Sequence, residues 1–188
     1  MIYLLKEEIS YAYRYDSGEL YNYRVYEYDD NGNTIKYTEY NADDTIEFYR
    51  LYEYNSLGQE IKATTYNADD TIDYYEMYQY YENGSLQQQE KYNGNGTPNY
   101  IRKYDEEENV IEYISYSYNR DGSLVSYQHT LCEYYDNGKT KQNTTYYYNA
   151  DDSLNYYYII NYTYLGEIMA ISQGKSTRSP SGARNVAN

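Results

Sequence analysis

The sequence predicts an all-β fold, in which a repeat array forms an antiparallel β-meander with about two strands per 26-residue unit. We expect this meander to be a single elongated, twisted or curved sheet. Three observations support the prediction: a 26-residue unit recurs in register, side-chain character alternates with the period of two typical of strands, and short turn motifs separate the strands. No stretch shows sustained helical spacing.

The repeat is clearest from Tyr23 onwards. The unit that starts at Tyr23 reads YRVYEYDDNGNTIKYTEYNADDTIEF, and the unit that starts at Tyr49 reads YRLYEYNSLGQEIKATTYNADDTIDY. A third unit begins at Tyr75 and a looser fourth at Ile101. Self-similarity at a fixed period predicts that each unit buries its surface against its neighbours, as in other repeat arrays.

Composition divides the chain into three segments. Residues 1–10 form an N-terminal lead-in, residues 11–166 the repeat array, and residues 167–188 a tail. The tail contains no Tyr and no Asp from Ile168 onwards, and Lys175, Arg178 and Arg184 make it basic. This composition predicts that the tail is disordered.

Two kinds of turn alternate along the array. The Asn-Gly pairs at 31–32, 83–84 and 137–138 are typical of two-residue hairpin loops, and the second turn reads Asn-Ala-Asp-Asp-Thr at 41–45 and 67–71. A two-residue loop at 31–32 predicts these opposite pairs: Tyr28 and Ile35, Glu27 and Lys36, and Tyr26 and Tyr37. The same rule places Glu53 opposite Lys62, a recurrence of opposite charges expected of a correct register, and places Asp105 opposite Ile114 in the fourth unit.

This register also predicts the two faces of the sheet. One face, expected to be the more apolar and concave, carries Tyr26, Tyr28, Ile35, Tyr37, Phe48, Tyr52 and Tyr54. The opposite face carries Tyr23, Val25, Glu27, Lys36, Thr38, Tyr40, Glu47 and Tyr49. An odd-length second turn would exchange the faces between strands.

Charge and composition restrict the partners. The chain has 15 Lys and Arg against 30 Asp and Glu, a formal net charge of −15, so neither nucleic acid nor an anionic membrane is an expected partner. Ile, Leu, Val and Phe make up only 28 of the 188 residues, a proportion usually found in disordered chains. The 36 tyrosines supply the missing apolar surface, so we expect a folded, tyrosine-lined sheet without a deep aliphatic core.

The N-terminal sequence MIYLLKEEIS has an apolar run too short for a signal peptide, which favours a cytoplasmic location. The alternative is a piece of a longer exported or surface protein. One cysteine, Cys132, leaves no internal disulfide within this sequence.

Tyrosines are the candidate binding residues, because they recur in phase. Two columns result, and their members are Tyr26, Tyr52, Tyr78 and Tyr104 in one and Tyr40, Tyr66, Tyr92 and Tyr118 in the other. Such columns act as structural ladders, and a regular tyrosine surface also suits protein interfaces or stacking on sugar rings.

The search for catalytic or metal chemistry yields little. His129 and Cys132 lie three residues apart and would point to opposite faces of a strand, so they form neither a zinc half-site nor a nucleophile with its base. Paired aspartates in the second turns are candidates for Ca²⁺ binding, although a structural role in the turn is the main interpretation. These aspartates are Asp43, Asp44, Asp69, Asp70, Asp151 and Asp152. We predict no enzyme activity, no cofactor and no dedicated metal site.

The units resemble YD repeats, also called RHS repeats, whose consensus is Tyr-x-Tyr-Asp-x-x-Gly followed by an apolar residue. The segment 26–32, YEYDDNG, matches closely, 52–58 has Asn for Asp, 78–84 departs at the Asp, and Val110 replaces the Gly in the fourth unit. The resemblance implies a spiralling β-sheet of the kind that in large arrays encloses a toxin. The YENG and YDNG pieces are also similar to YwqK-like repeats of antitoxin-type proteins, and tyrosine-rich repeats resemble choline-binding modules, although the chain has no Trp.

Three functional interpretations remain. The first is a non-catalytic scaffold that presents a tyrosine-rich acidic surface to another protein, a basic one in particular, within a toxin or immunity system. The second is a carbohydrate-binding or adhesive surface module, and the third an unselected fragment of a larger repeat protein. Exposed end strands also make edge-to-edge homodimerisation an expectation.

Overall fold

The computed structural model describes residues 5–165, 168–173 and 177–178, and all regular structure in these ranges is β. The strands are β1 (Glu7–Tyr13), β2 (Leu20–Tyr28), β3 (Thr34–Asn41), β4 (Ile46–Tyr54), β5 (Glu60–Asn67), β6 (Ile72–Tyr80), β7 (Leu86–Asn93), β8 (Pro98–Tyr104), β9 (Val110–Tyr118), β10 (Leu124–Tyr134), β11 (Thr140–Asn149), β12 (Leu154–Leu165), β13 (Ile168–Gln173) and β14 (Thr177–Arg178). The described residues include no helix long and apolar enough to cross a membrane.

The strands follow one another in chain order within one sheet, from β1 to β13, while β14 pairs with β12. Neighbouring strands such as β2 and β3, or β9 and β10, are antiparallel. Each 26-residue unit supplies two strands, as β2 and β3 do for the unit that starts at Tyr23. The predicted antiparallel meander is therefore confirmed.

Strands also lie outside the segment predicted as the array. β1 begins at Glu7, inside the predicted lead-in, and its register with β2 runs from Glu7 opposite Glu27 to Tyr11 opposite Tyr23. β13 and β14 lie within the predicted tail, where β13 pairs with β12. The predicted disorder of the tail as a whole stays a prediction. The rest of 167–188 lies outside the described residues.

The chain divides into two compact units. Unit 1 consists of Met1–Tyr78 and Lys91–Thr97, and unit 2 of Gln79–Glu90 and Pro98–Asn188.

The prediction of a two-residue loop at Asn31-Gly32 is wrong. The loop has three residues, 30–32, closed by hydrogen bonds from Asp29 N to Asn33 O (2.9 Å) and from Gly32 N to Asp29 O (3.2 Å). Tyr28 consequently lies opposite Thr34 rather than Ile35. Gly32 has φ of +87°, the left-handed conformation that ends a three-residue loop and introduces a bulge into the adjoining strand.

The second turn has the same construction, with Asp44 in the left-handed position at φ of +65°. The loop has an odd number of residues, and the bulge adds one extra residue to the adjoining strand. Together they restore the alternation, so the side chains beyond the bulge face the partners predicted for a two-residue loop. Glu27 faces Lys36 and Tyr26 faces Tyr37, as predicted. Tyr37 then faces Arg50, so the predicted assignment of side chains to the two faces is preserved.

These turns explain the Tyr-Asp-x-x-Gly motif physically. The Asp29 Oδ1 accepts hydrogen bonds from the backbone N–H groups of Asn31 (2.9 Å) and Asn33 (2.8 Å), and Gly32 supplies the left-handed residue. The hydrogen bond from the Asn33 side-chain amide, followed by these backbone bonds, lowers the pKa of the Asp29 carboxyl. The turn at 29–33 is therefore a hairpin turn held by its own carboxylate, and in the next unit the Asn55 Oδ1 accepts the equivalent bonds from the N–H groups of Leu57 and Gln59 at 3.0 Å.

The fourth unit corrects another predicted pair. Ile114 lies opposite Ile101, not opposite Asp105, and Lys103 lies opposite Glu112. Lys103 Nζ lies 2.6 Å from Glu112 Oε2, whereas Glu27–Lys36 and Glu53–Lys62 pair at 3.3 Å and 3.2 Å. The cross-strand ion pair is thus retained in this unit with its charges exchanged between strands.

The described residues contain almost no apolar core. Ala63 is the one hydrophobic residue among them that is buried, and most other buried side chains are threonines, such as Thr38 at 1% exposure. Stability must therefore come mainly from strand ladders, cross-strand ring contacts and ion pairs.

Candidate functional site

Unit 1 presents a face on which tyrosines stack in pairs across neighbouring strands. Tyr23 stacks on Tyr40 (ring centroids 4.7 Å apart, 7° between planes) and Tyr49 on Tyr66 (4.8 Å, 7°). Tyr75 stacks on Tyr92 at 4.9 Å and 11°. We call the side of unit 1 that carries these six residues the tyrosine-pair face. Period-two alternation places Leu51 and Met77 on it as well.

Two of the stacked pairs are hydrogen-bonded to the Asn-Ala-Asp-Asp-Thr turn that follows them. The Tyr23 hydroxyl donates to Asp44 Oδ1 at 3.1 Å, and the Tyr49 hydroxyl donates to Asp70 Oδ1 at 2.9 Å. Partial desolvation and these bonds to a carboxylate raise the pKa of both phenols. The phenols therefore stay neutral donors, and their rings are held upright on the sheet.

Apolar side chains lie exposed between the pairs. Leu51 is 37% exposed, Met77 40% and Ile72 40%. A depression of about 260 Å³ on this face is lined by Lys62, Thr64, Tyr66, Ile72, Tyr75 and Met77. Aromatic and aliphatic groups thus form a contiguous patch rather than scattered single residues.

Lysines flank the outer rings of the same face. Lys36 Nζ lies 5.8 Å from the centre of the Tyr49 ring, and Lys62 Nζ lies 6.0 Å from that of Tyr75. The other sides of these two rings are covered by Tyr66 and Tyr92. One face of each ring is therefore covered by another ring, and the other face has a lysine ammonium group within 6.0 Å of its centre.

The opposite face of unit 1 was predicted to be the more apolar, yet it carries a charge network. Arg50 Nη2 lies 2.7 Å from Glu76 Oε2 and 3.9 Å from Glu60 Oε1. Burial raises the pKa of the Glu60 carboxyl, Arg50 opposes that shift and Glu76 adds to it. The Arg24 Nε–Glu39 Oε2 pair, at 3.3 Å, lies on this face too. Exposed aliphatic side chains occur on both faces, with Leu51 and Met77 on the tyrosine-pair face and Ile35, at 39% exposure, on the opposite face.

The two predicted tyrosine columns lie on opposite faces within each unit. Tyr40, Tyr66 and Tyr92 belong to the tyrosine-pair face, whereas Tyr26, Tyr52 and Tyr78 alternate onto the face of Arg50 and Glu76. In unit 2, Tyr104 shares a face with Arg102, and Tyr118 alternates onto the other. The eight candidates therefore do not form one surface.

Members of the first column are half-buried in structural contacts. Tyr26 packs on Tyr37 at 5.1 Å, and the Arg50 guanidinium lies 5.4 Å from the centre of the Tyr52 ring. In unit 2 the Tyr104 hydroxyl donates to Gln89 Oε1 at 3.3 Å, and the hydroxyl of Tyr118, a member of the second column, donates to the Pro98 carbonyl at 2.8 Å.

Unit 2 has its own run of rings. Tyr127 lies between Tyr116 (5.7 Å) and Tyr148 (4.7 Å, stacked), and its hydroxyl donates to Asp152 Oδ1 at 3.0 Å. Desolvation, followed by the bond to Asp152, raises the pKa of Tyr127 to about 12. The Tyr–Asp arrangement of unit 1 therefore recurs here.

The paired aspartates considered for Ca²⁺ act within their turns. Asp43 Oδ1 accepts from Thr45 N (3.2 Å) and Thr45 Oγ1 (2.6 Å), which lowers the pKa of its carboxyl, and Asp69 and Asp151 do the same with Thr71 and Ser153. Asp44, Asp70 and Asp152 take the left-handed position. The described residues contain no group of three or more His, Cys, Asp or Glu side chains arranged to hold a metal ion. Calcium binding stays untested.

His129 and Cys132 point to opposite faces of β10, as the strand prediction requires. His129 Nε2 lies 2.8 Å from Glu112 Oε1, on the side that also carries Lys103. Cys132 lies on the other side, where burial raises the pKa of its thiol and a hydrogen bond with Tyr134 partly lowers it. This geometry keeps the two side chains apart.

No protein-family model and no curated protein matches the chain. Among solved structures, it is similar to the crystal structure of TcdB2-TccC3-TEV, with 13% identity, coverage of 96% of this chain and 13% of that chain, and a TM-score of 0.20. It is also similar to a protein of unknown function from Bacteroides fragilis NCTC 9343, with 11% identity, coverage of 93% and 94%, and a TM-score of 0.20. The chain thus spans 13% of the length of the first structure. At such TM-scores neither likeness adds to the fold described above.

The residues missed as site candidates are Tyr23, Tyr49 and Tyr75, which complete the stacked pairs. The signal was present in the sequence: the register that places Tyr26 opposite Tyr37 also places Tyr23 opposite Tyr40. Leu51 and Met77 lacked such a signal, because only the exposures in the folded sheet distinguish them from core residues.

Proposed function

We propose that this chain is a non-catalytic β-repeat scaffold that binds another protein through the tyrosine-pair face. The observation that carries the proposal is the contiguous exposed patch of tyrosine edges with Leu51, Ile72 and Met77 between them. Tyrosine and methionine are enriched at protein interfaces, and rigid rings lose little conformational entropy on binding.

The charge of the chain suits a basic partner. The net charge is −15, and the carboxylates of Asp44 and Asp70 stand at the end of the tyrosine pairs. Complementary charge accelerates association and selects among partners, while the apolar patch supplies affinity. A role in a toxin or immunity system is the finer form of this proposal, and its support is the resemblance of the turns to YD repeats.

A carbohydrate-binding module is the competing proposal. Stacking of a sugar needs an exposed ring face, whereas one face of Tyr49 and of Tyr75 is covered by another ring, and a lysine ammonium group lies within 6.0 Å of the centre of each ring on its other side. The geometry therefore favours a protein ligand, which contacts ring edges, hydroxyls and aliphatic side chains together.

The test begins with capture of binding proteins on the immobilised chain at low and high salt. A captured protein is then purified, and its affinity is measured for the double variant Leu51→Glu/Met77→Glu. Both residues are exposed, so the substitution removes the patch without opening a core. Val125→Glu, at a position 45% exposed in unit 2, is the matched control.

We expect stoichiometric binding that weakens at least about tenfold in the double variant, as for other interface anchors, and is unchanged in the control. Binding that is equally tight to both variants would overturn the proposal. Retention on polysaccharide through high salt, with no protein partner, would favour the carbohydrate-binding alternative.

A further inference from the structure

Strand β1 pairs on one side only within the described residues, because it stands first in the strand order. The Tyr28 N–H donates to the Lys6 carbonyl at 3.0 Å, so the backbone groups of Lys6 point towards β2. In an antiparallel ladder the pairing direction alternates from residue to residue. The N–H and C=O groups of Glu7, Ile9 and Tyr11 consequently point away from β2, towards the open edge.

The side chains of these three residues extend the tyrosine-pair face. Tyr11 lies opposite Tyr23, with ring centroids 5.6 Å apart, and Tyr23 stacks on Tyr40. Ile9 lies opposite Val25. Tyr11 is 56% exposed and Ile9 44%, so both have room for a neighbour on their outer side.

The charges at this edge are unbalanced. Glu7 lies directly opposite Glu27, a like-charge cross-strand pair, which is unfavourable. Glu27 pairs on its other side with Lys36 at 3.3 Å, whereas Glu7 has no ion-pair partner among the described residues. A cation on the outer side of Glu7 would give this carboxylate an ion-pair partner, as Lys36 does for Glu27.

We propose that the β1 edge accepts an extended segment of a basic protein partner as an added antiparallel strand. This inference rests on the proposed function and names how the partner docks. The segment has an aromatic residue beside Tyr11, a β-branched or aliphatic residue two positions later beside Ile9, and Lys or Arg two positions later again beside Glu7. Main-chain hydrogen bonds supply affinity, and the alternate side chains supply specificity.

A second copy of the chain fits this edge less well. Each copy carries a net charge of −15, and the two basic residues that adjoin the strand are already engaged: Lys6 pairs with Asp30, and the Arg14 guanidinium lies 4.9 Å from the centre of the Tyr21 ring. An antiparallel second copy centred on Ile9 would place its Tyr11, not a cation, beside Glu7, so charge complementarity selects a basic segment.

The experiment uses two synthetic peptides. One has the sequence of β2, LYNYRVYEY, whose Tyr23, Val25 and Glu27 already pair with Tyr11, Ile9 and Glu7 on the inner side. The other is its Glu27→Lys version, which has the predicted aromatic, aliphatic and basic spacing. Binding of each labelled peptide to the whole chain is measured by fluorescence anisotropy at low and high salt.

We expect the lysine peptide to bind about threefold to tenfold more tightly than the glutamate peptide at low salt, with the difference reduced at high salt. Ile9→Pro should abolish binding, because it removes an outward N–H that the added strand needs. The variant should still fold, since proline is tolerated on the open side of an edge strand. Glu7→Lys should reverse the preference between the peptides, which tests the same register without proline.

The proposal would be overturned if neither peptide binds the folded chain. It would also be overturned if the two peptides bind with equal affinity and Glu7→Lys does not alter this. A dimer of the chain that Ile9→Pro dissociates would overturn it too, because a second copy would then occupy the edge. Peptide binding that survives in Leu51→Glu/Met77→Glu shows the edge to act independently of the patch. A failure of the proposed function and a failure of strand addition are thus separable.

Discussion

The Tyr49 hydroxyl donates a hydrogen bond of 2.9 Å to Asp70 Oδ1, which ties strand β4 to the turn between β5 and β6. The same bond joins Tyr23 to Asp44 and Tyr127 to Asp152. In each case the aspartate occupies the left-handed position of its turn. A single contact therefore orients a stacked tyrosine and holds a strained residue of the next turn.

Tyr49→Phe should lower the urea midpoint of unfolding, because the Asp70 carboxylate loses its phenol donor while the ring stack is kept. Tyr75→Phe is the matched control, since Gly96 stands where Asp70 stands in the preceding unit. The shift should be modest, as the bond is exposed, and smaller still in the control. Equal midpoints for the two variants would show that the Tyr–Asp bond contributes nothing.

Stability should fall at alkaline pH. Burial is the main cause that raises the pKa of Tyr54, Tyr127 and Tyr147 to about 12, against 10.0 for an unperturbed phenol. Between these values the unfolded chain has lost protons that the folded chain keeps, so the free energy of unfolding decreases as pH rises through this range. Below pH 10 these groups contribute their full stabilisation.

This dependence can be measured by urea unfolding from neutral to strongly alkaline pH. Tyr127→Phe should flatten the decline, because one titrating group is removed. The fully exposed Tyr15 gives the control variant Tyr15→Phe, which should leave the profile unchanged. A free energy of unfolding that does not change up to pH 12 would contradict the raised pKa values.

Gly32→Val should destabilise the hairpin of β2 and β3 by about 1–2 kcal/mol, the usual cost of the left-handed conformation for a branched residue. A Cβ at Gly32 would meet no atom within 4 Å, so the cost arises from its φ of +87° and not from crowding. Gly32→Asn is the matched variant, since asparagine tolerates this conformation. Equal losses in thermal unfolding would point to crowding instead.

Cys132 should react slowly with a disulfide reagent. Burial raises the pKa of its thiol, so little thiolate is present near neutral pH. We expect a rate about tenfold or more below that of free cysteine, and the ordinary rate once urea unfolds the chain. Fast reaction of the folded protein would mean that the thiol is accessible and activated.

Local chemistry in the sequence was sufficient for the strands of the repeat array, their order and the assignment of their side chains to the two faces. The 26-residue period, the alternation along β2 and β3 and the recurring Glu27–Lys36 type of pair all depend on neighbours that a meander brings together in chain order. The separation of His129 from Cys132 followed in the same way, from the alternation of one strand.

The tertiary structure alone decided the loop length, the contacts and exposures of the side chains on each face, and the open edge. A three-residue loop with a bulge gives the same downstream pairs as a two-residue loop, so the sequence pattern does not distinguish them, and Asp44 takes a conformation usually left to glycine. Arg50 meets Glu76, 26 residues away, only because β4 and β6 both flank β5. Contacts across strands depend on register, and exposure depends on which neighbours cover a side chain. Both are properties of the assembled sheet and cannot be read from the sequence of one strand.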